Sequence, residues 1–202
     1  MAKKAKVKAK KATKASNKKP AKKQTKKLGK PASKNASGGN ARFVENALDH
    51  SRFAHKMIHD FAKGINDSMA LAQPAGNKNH LIWTYGHLAD TYDWFAESLG
   101  SIDAKCPMTY KELFGGGSKP TGDASKYPTL AQVRADYDKA GERMLKAIAS
   151  CKDFFVAPEK DSGGWMSNKM QAVDRCAWHV GWHLGQLANL RRELGLPKAM
   201  GG

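Results

Sequence analysis

Disulfide chemistry, secretion and membrane insertion find little material in this chain of 202 residues. Its three cysteines, Cys106, Cys151 and Cys176, form no C-x-x-C pair, and their odd number leaves one over in any disulfide scheme. That pattern predicts a reducing, cytoplasmic setting. No apolar run approaches the roughly 20 residues that span a bilayer, and the N-terminus lacks the apolar segment of a secretory signal, so no membrane partner is expected. Alternating strand patterns are missing as well. Residues 1–34 contain neither an acidic nor an aromatic side chain.

Those same 34 residues hold fifteen lysines, interspersed with Ala, Pro, Ser and Thr. The remainder of the chain has twenty basic against eighteen acidic residues, so it carries only +2 of the formal +17. Met1 to about Gly39 offers almost no large apolar side chain to offset the entropy of ordering, which predicts a disordered arm. Ser37-Gly38-Gly39-Asn40 reads as its linker, giving an arm over residues 1–40, a folded domain over 41–197 and a short tail over 198–202. The arm's composition resembles the tails of linker-histone-like proteins. Dense lysine suits nucleic acid or another polyanion, bound through counterion release with strong salt dependence, no sequence selectivity and a nucleoid association in the cell. Without aromatics the arm has nothing to stack on bases. A solubilising tail and an address signal are the other readings.

From residue 41 onward the apolar residues recur at helical spacing. Phe43, Ala47, Ala54, Ile58, Phe61, Ile65 and Met69 predict a first helix from Ala41 to about Leu71, stopped by Gln73-Pro74-Ala75-Gly76. A second helix runs from about Asn79 to Leu99, with Asn77 or Asn79 as its cap and Gly100 as its stop. Residues 101–128 form a long connection, rich in Gly and Pro, that edges a pocket; Tyr110 to Phe114 make a brief helix within it. Thr129 and Gln132 form a capping box for a third helix to about Ala149, whose charged residues Arg134, Asp136, Asp138, Lys139 and Glu142 read as a solvated face. Ser167 caps a last helix that ends at Gly195. The expected fold is all-α, a four-helix bundle in which facing helices can hold a metal.

Histidine carries the functional signal. His179 and His183, four residues apart on the last helix, project about 40° and roughly 6 Å from one another, close enough for two imidazoles to share one ion. On a helical wheel they fall at the centre of the apolar arc of Cys176, Val180, Leu187 and Leu190, where unpartnered imidazoles would cost about 1–3 kcal/mol each. His87, between Trp83 and Trp94 on the second helix, is the natural third ligand. Three neutral nitrogens without a fourth protein ligand form the open, catalytic type of site. Gln186 is placed to hydrogen-bond behind the ligands, and Cys176 reads chiefly as a small apolar side chain. A second four-residue pair, His55 and His59, shares its side of the first helix with Arg52, Lys56 and Lys63 and reads as solvent-exposed.

Asn79-His80-Leu81-Ile82-Trp83-Thr84-Tyr85-Gly86-His87-Leu88-Ala89 and His179-Val180-Gly181-Trp182-His183-Leu184-Gly185-Gln186 resemble the histidine segments of the DinB-like superfamily, metal-binding four-helix bundles that include the YfiT-type proteins. Leu190 to Pro197 also fits the family pattern, and Leu184 stands where the family often has arginine. The resemblance covers about residues 41–197 and leaves out the lysine arm. It implies a divalent metal, most often zinc or nickel, held by His87, His179 and His183. It also implies activities such as thiol S-transfer or isomerisation with low-molecular-weight thiols. The expected function is a metal-dependent enzyme that activates a small thiol or water. The alternatives are a non-enzymatic metal-binding stress or sensor module tethered to nucleic acid by the arm, and a bundle whose histidines are structural. Trp178 and Trp182 widen the last helix's apolar arc and suit a pocket wall, a helix contact or a homodimer seam.

Overall fold

A computed structural model describes residues 36–74, 79–103 and 105–200; the lysines of the arm lie outside the described residues. The elements are α1 (Ala36–Ala62), α2 (Leu81–Ser98), the short α3 (Thr109–Phe114), a single 3-10 turn (Ala124–Lys126), α4 (Leu130–Ser150) and α5 (Lys169–Glu193). The four long helices form an all-α bundle, with no strand among the described residues. No described helix is long and apolar enough to cross a membrane.

Helix α2 is the axis of the bundle. It packs against α3, α4 and α5, while α1 packs against α4 and α5. Its sequence explains the position, because apolar or aromatic residues line most of its circumference and Leu81, Tyr85, Leu88, Ala89 and Phe95 are wholly buried; a helix apolar all round must be surrounded. Polar groups that this burial traps are paired. Asp93, 5% exposed, accepts two hydrogen bonds from Arg143 of α4, at 2.6 and 2.8 Å, and one from the Cys106 amide at 2.7 Å. Removing either partner would strand a buried charge, at a cost of about 3–5 kcal/mol.

Helix ends depart from the sequence reading in local ways. The segment Ser37 to Asn40, read as linker, belongs to α1, which begins at Ala36. At its other end α1 stops at Ala62, nine residues before Leu71, because Gly64 takes a φ of +87° that side-chain-bearing residues avoid. Ile65 and Ala70 of the following turns still pack into the core, which is why the apolar period continues past the end of the helix. The cap of α2 is neither Asn77, outside the described residues, nor Asn79; it is His80, whose Nδ1 accepts from the Trp83 amide at 3.0 Å. Thr129 caps α4 by accepting from the Gln132 amide, but the Gln132 side chain turns to Asp136 instead of closing the box. For α5 the cap is Asn168, one residue beyond Ser167.

Two supposed solvent faces lie only partly in solvent: on α4 Asp138, Lys139 and Glu142 are exposed while Asp136 is buried, and on α1 His55 and His59 are half-buried. Asp136 is 9% exposed and accepts from the Tyr110 hydroxyl at 2.6 Å. His55 and His59 are not free in solvent, since both rings turn toward α4 and bond to Asp138. On the α1 wheel His55 lies only about 20° from Ala62, whereas Lys56, Arg52 and Lys63 lie farther out. The pair therefore flanks the core and shares only its outer edge with the cations.

The ends of α1 and α5 are joined by Arg191. Its buried guanidinium donates to the carbonyls of Phe61 (3.0 Å) and Lys63, closing the C-terminus of α1, and to the Pro197 carbonyl. Helix C-termini leave carbonyls without intrahelical partners, and a cation suits them both by hydrogen bond and by dipole.

Candidate metal centre

The inner faces of α2 and α5 bring His87, His179 and His183 together. His183 is 5% exposed, and the other two are half-buried. Nε2 of His179 is 3.1 Å from Nε2 of His87 and 3.2 Å from Nε2 of His183. All three ring centroids lie within 5.0 Å of one another. Tetrahedral zinc with bonds of about 2.0–2.1 Å separates its nitrogen ligands by roughly 3.3 Å. The spacing is that of a ligand set.

His87 is oriented from behind. Its Nδ1–H donates to the Phe114 carbonyl at 2.7 Å, which leaves the Nε2 lone pair facing the other two rings. Trp83 stacks on the imidazole at 4.4 Å and 11°, and its indole N–H donates to Ser118 Oγ at 2.8 Å. Both anchors come from the 101–128 connection, which thus edges the site. Gly86 makes room for this contact, because a Cβ there would fall inside the Phe114 ring.

Hydrogen bonds alone leave the triad unsatisfied. With His87 Nε2 an acceptor, the Nε2–H of His179 can serve it, and His183 Nε2 then faces a nitrogen with nothing to exchange. The Nδ1 atoms of His179 and His183 are also buried without hydrogen-bond partners among the described residues. Burial lowers the pKa of all three rings, that of His179 to about 4 and of His183 to about 3; neighbouring histidines add to the effect at these two, whereas the Phe114 carbonyl opposes it at His87. At neutral pH each ring is therefore neutral with one lone pair, and with the proton of each on Nδ1 the three Nε2 lone pairs could take one divalent cation at their focus. The residues present fit such an ion.

Gln186 stands beside the pair, where its oxygen accepts from Asn79 Nδ2 at 3.0 Å. Cys176, 4% exposed and with its thiol pushed well up by burial, is not one of the convergent ligand atoms. Trp178 and Trp182, 55% and 57% exposed, pack edge to face on the outside of α5, so neither walls the centre. A cleft of ≈ 460 Å³ opens on the His87 side, lined by Thr91, Trp94, Cys106, Met108, Lys111 and Lys160 among others. Spacing on α2 and α5 indicated the histidines; the Phe114 carbonyl at the end of α3 and the Ser118 hydroxyl in the loop beyond it are brought to the site by tertiary packing that no periodicity places.

No curated protein matches this chain. The sequence profile of the DinB superfamily matches residues 51–187, a span running from α1 into α5 that includes all three histidines. The chain belongs to the DinB superfamily.

Proposed function

We propose that His87, His179 and His183 hold a divalent ion, zinc or nickel, and that the protein is a metal-dependent enzyme acting on a low-molecular-weight thiol or on water, of the thiol S-transferase or hydrolase type. The observation that carries this reading is the convergence of three neutral Nε2 atoms, 3.1 and 3.2 Å apart, beside an open cleft. A bound ion of this kind supplies Lewis acidity, lowering the pKa of a thiol or water in its remaining coordination position.

The chain's own groups do the positioning. The Phe114 carbonyl fixes the His87 tautomer, and Trp83 holds the plane of that ring. The cleft offers apolar contact from Trp94 and Met108 and charge from Asp90, Lys111 and Lys160. That mixture suits a small polar thiol or an electrophile carrying both charged and apolar groups. Metal analysis of protein purified without chelator tests the proposal, with His87→Ala and His179→Ala as controls. Bound metal in the parent and its loss in both variants is the expected result; a parent without metal overturns it. Thiol-transfer and hydrolysis assays across a substrate panel then test the enzyme reading.

A second reading rests on the fifteen lysines of residues 1–34. They would tether a non-enzymatic metal-binding module to nucleic acid or another polyanion. Metal binding without turnover on that panel, together with DNA affinity that collapses between about 50 and 200 mM salt, would favour this alternative.

A further inference from the structure

A second group of ligand-type side chains stands between α1 and α4. His55 and His59, one turn apart on α1, both direct Nε2 at one oxygen of Asp138 on α4, at 3.1 and 2.8 Å. The three ligand atoms lie within 4.8 Å of one another. Each ring is held in that pose. His55 stacks on Tyr137 at 4.3 Å and 11°, in a recess that exists because residue 141 is glycine; a Cβ there would come within 2.6 Å of the imidazole. His59 is fixed from behind by the Tyr85 hydroxyl, 3.1 Å from its Nδ1. Burial raises the Tyr85 pKa to about 12, so the phenol stays neutral and can accept an Nδ1–H.

We infer that His55, His59 and Asp138 form a second divalent-cation site, distinct from the triad of α2 and α5, with Tyr85 orienting one of its ligands. Two nitrogens and a carboxylate oxygen match the donor set of zinc, whose bonds of about 2.0–2.2 Å need ligand atoms roughly 3.3–3.5 Å apart. The two nitrogen–oxygen separations, 3.1 and 2.8 Å, are shorter than that by roughly 0.2–0.7 Å, within reach of side-chain rotations. The site is open to solvent: side-chain exposures are 21% for His55, 32% for His59 and 51% for Asp138. A cleft of ≈ 590 Å³ reaches His59 and Tyr85 on one side of the group.

The surrounding charge permits a cation. Lys56 is paired with Asp60, which leaves less of its field to oppose an ion, and Glu142 adds negative potential at His55. Arg134, over the Tyr85 ring at 5.6 Å, opposes it. With Arg134 and Lys63 opposing an ion in the cleft and a half-exposed carboxylate as ligand, this site should bind zinc more weakly than the triad does.

The test is a zinc titration of the full chain after chelator stripping, followed by calorimetry and by elemental analysis after dialysis. The parent should take up two ions per chain, the second more weakly. His59→Ala should leave one, and Asp138→Asn should weaken the second event at least about tenfold while preserving the helical circular dichroism. Tyr85→Phe should weaken it by about tenfold, the scale of an orienting partner. His87→Ala with His179→Ala should remove the other ion and spare this one, so the two sites can fail separately. A parent that binds no ion beyond that held by the triad, or a second ion that survives both His59→Ala and Asp138→Asn, overturns the inference. If His59→Ala does not fold, Asp138→Asn decides.

Discussion

The two histidine groups share a design and differ in their surroundings. Each has an i, i+4 pair on one helix and a third donor from another, and each has a ring oriented from behind by an oxygen, the Phe114 carbonyl for His87 and the Tyr85 hydroxyl for His59. Around the triad the third donor is a neutral imidazole and His183 is buried. Around the other pair it is a half-exposed carboxylate that already bonds both Nε2 atoms, although His55 Nδ1 is buried without a hydrogen-bond partner among the described residues. Spacing alone therefore does not rank two such pairs. What ranks them is whether the Nε2 atoms already face a carboxylate acceptor, as in the outer group, or only one another, as in the triad.

The largest expected effect is on ligand-linked stability. Zinc at about a thousand times its dissociation constant should protect the parent against chemical denaturation by about 4 kcal/mol. His179→Ala should abolish most of this, whereas His59→Ala should remove only a minor part; equal losses would erase the distinction between the sites.

Next come the glycines that seat the rings. Gly86→Ala drives a methyl into the buried Phe114 ring and should cost about 1–3 kcal/mol, with weaker metal binding at the triad. Gly141→Ala meets the partly exposed His55, which can swing outward, so it should cost less than Gly86→Ala and affect only zinc uptake at the α1–α4 site. Urea denaturation of both variants measures the difference.

Acid separates the sites further. His179 and His183 titrate near 4 and 3 in the fold, against 6.5 for an unperturbed histidine. Between pH 6.5 and about 4 the unfolded chain therefore binds more protons, and the stability of metal-free protein falls as pH falls. Each such histidine contributes a slope of up to about 1.4 kcal/mol per pH unit. The buried His80, lowered to about 4, adds to the slope in the same direction. Replacing His183 by Gln should flatten the dependence measured by denaturation from pH 7 to pH 5. The smallest effect belongs to Asn79→Ala, which removes the 3.0 Å bond to Gln186 and should cost about 1 kcal/mol or less with little change in metal affinity.

Much of the bundle was legible because its determinants are local. The apolar period marked four helices, Thr129 and Gly100 marked ends, and the position of His179 and His183 within an apolar arc marked them as interior. The remainder depends on residues far apart in sequence. Asp138 is solvated as its wheel indicates, but His55 and His59 looked fully exposed from α1 because that wheel does not contain α4, whose Asp138 faces both rings. Asp136 was misread for the same reason, its partner Tyr110 lying in a loop helix. The end of α1 was missed because apolar residues continue beyond Gly64 in turns that still reach the core.

Arg191 gives the chain an order of completion during synthesis. The last carbonyls of α1 receive their cation from a side chain about 130 positions later, on the same helix that brings His179 and His183. Until α5 has emerged, α1 lacks its C-terminal closure and the triad lacks two of its three nitrogens. The His55, His59 and Asp138 group needs nothing beyond α4. Closing the bundle at Arg191 and bringing the three histidines of the triad together thus depend on the same last helix.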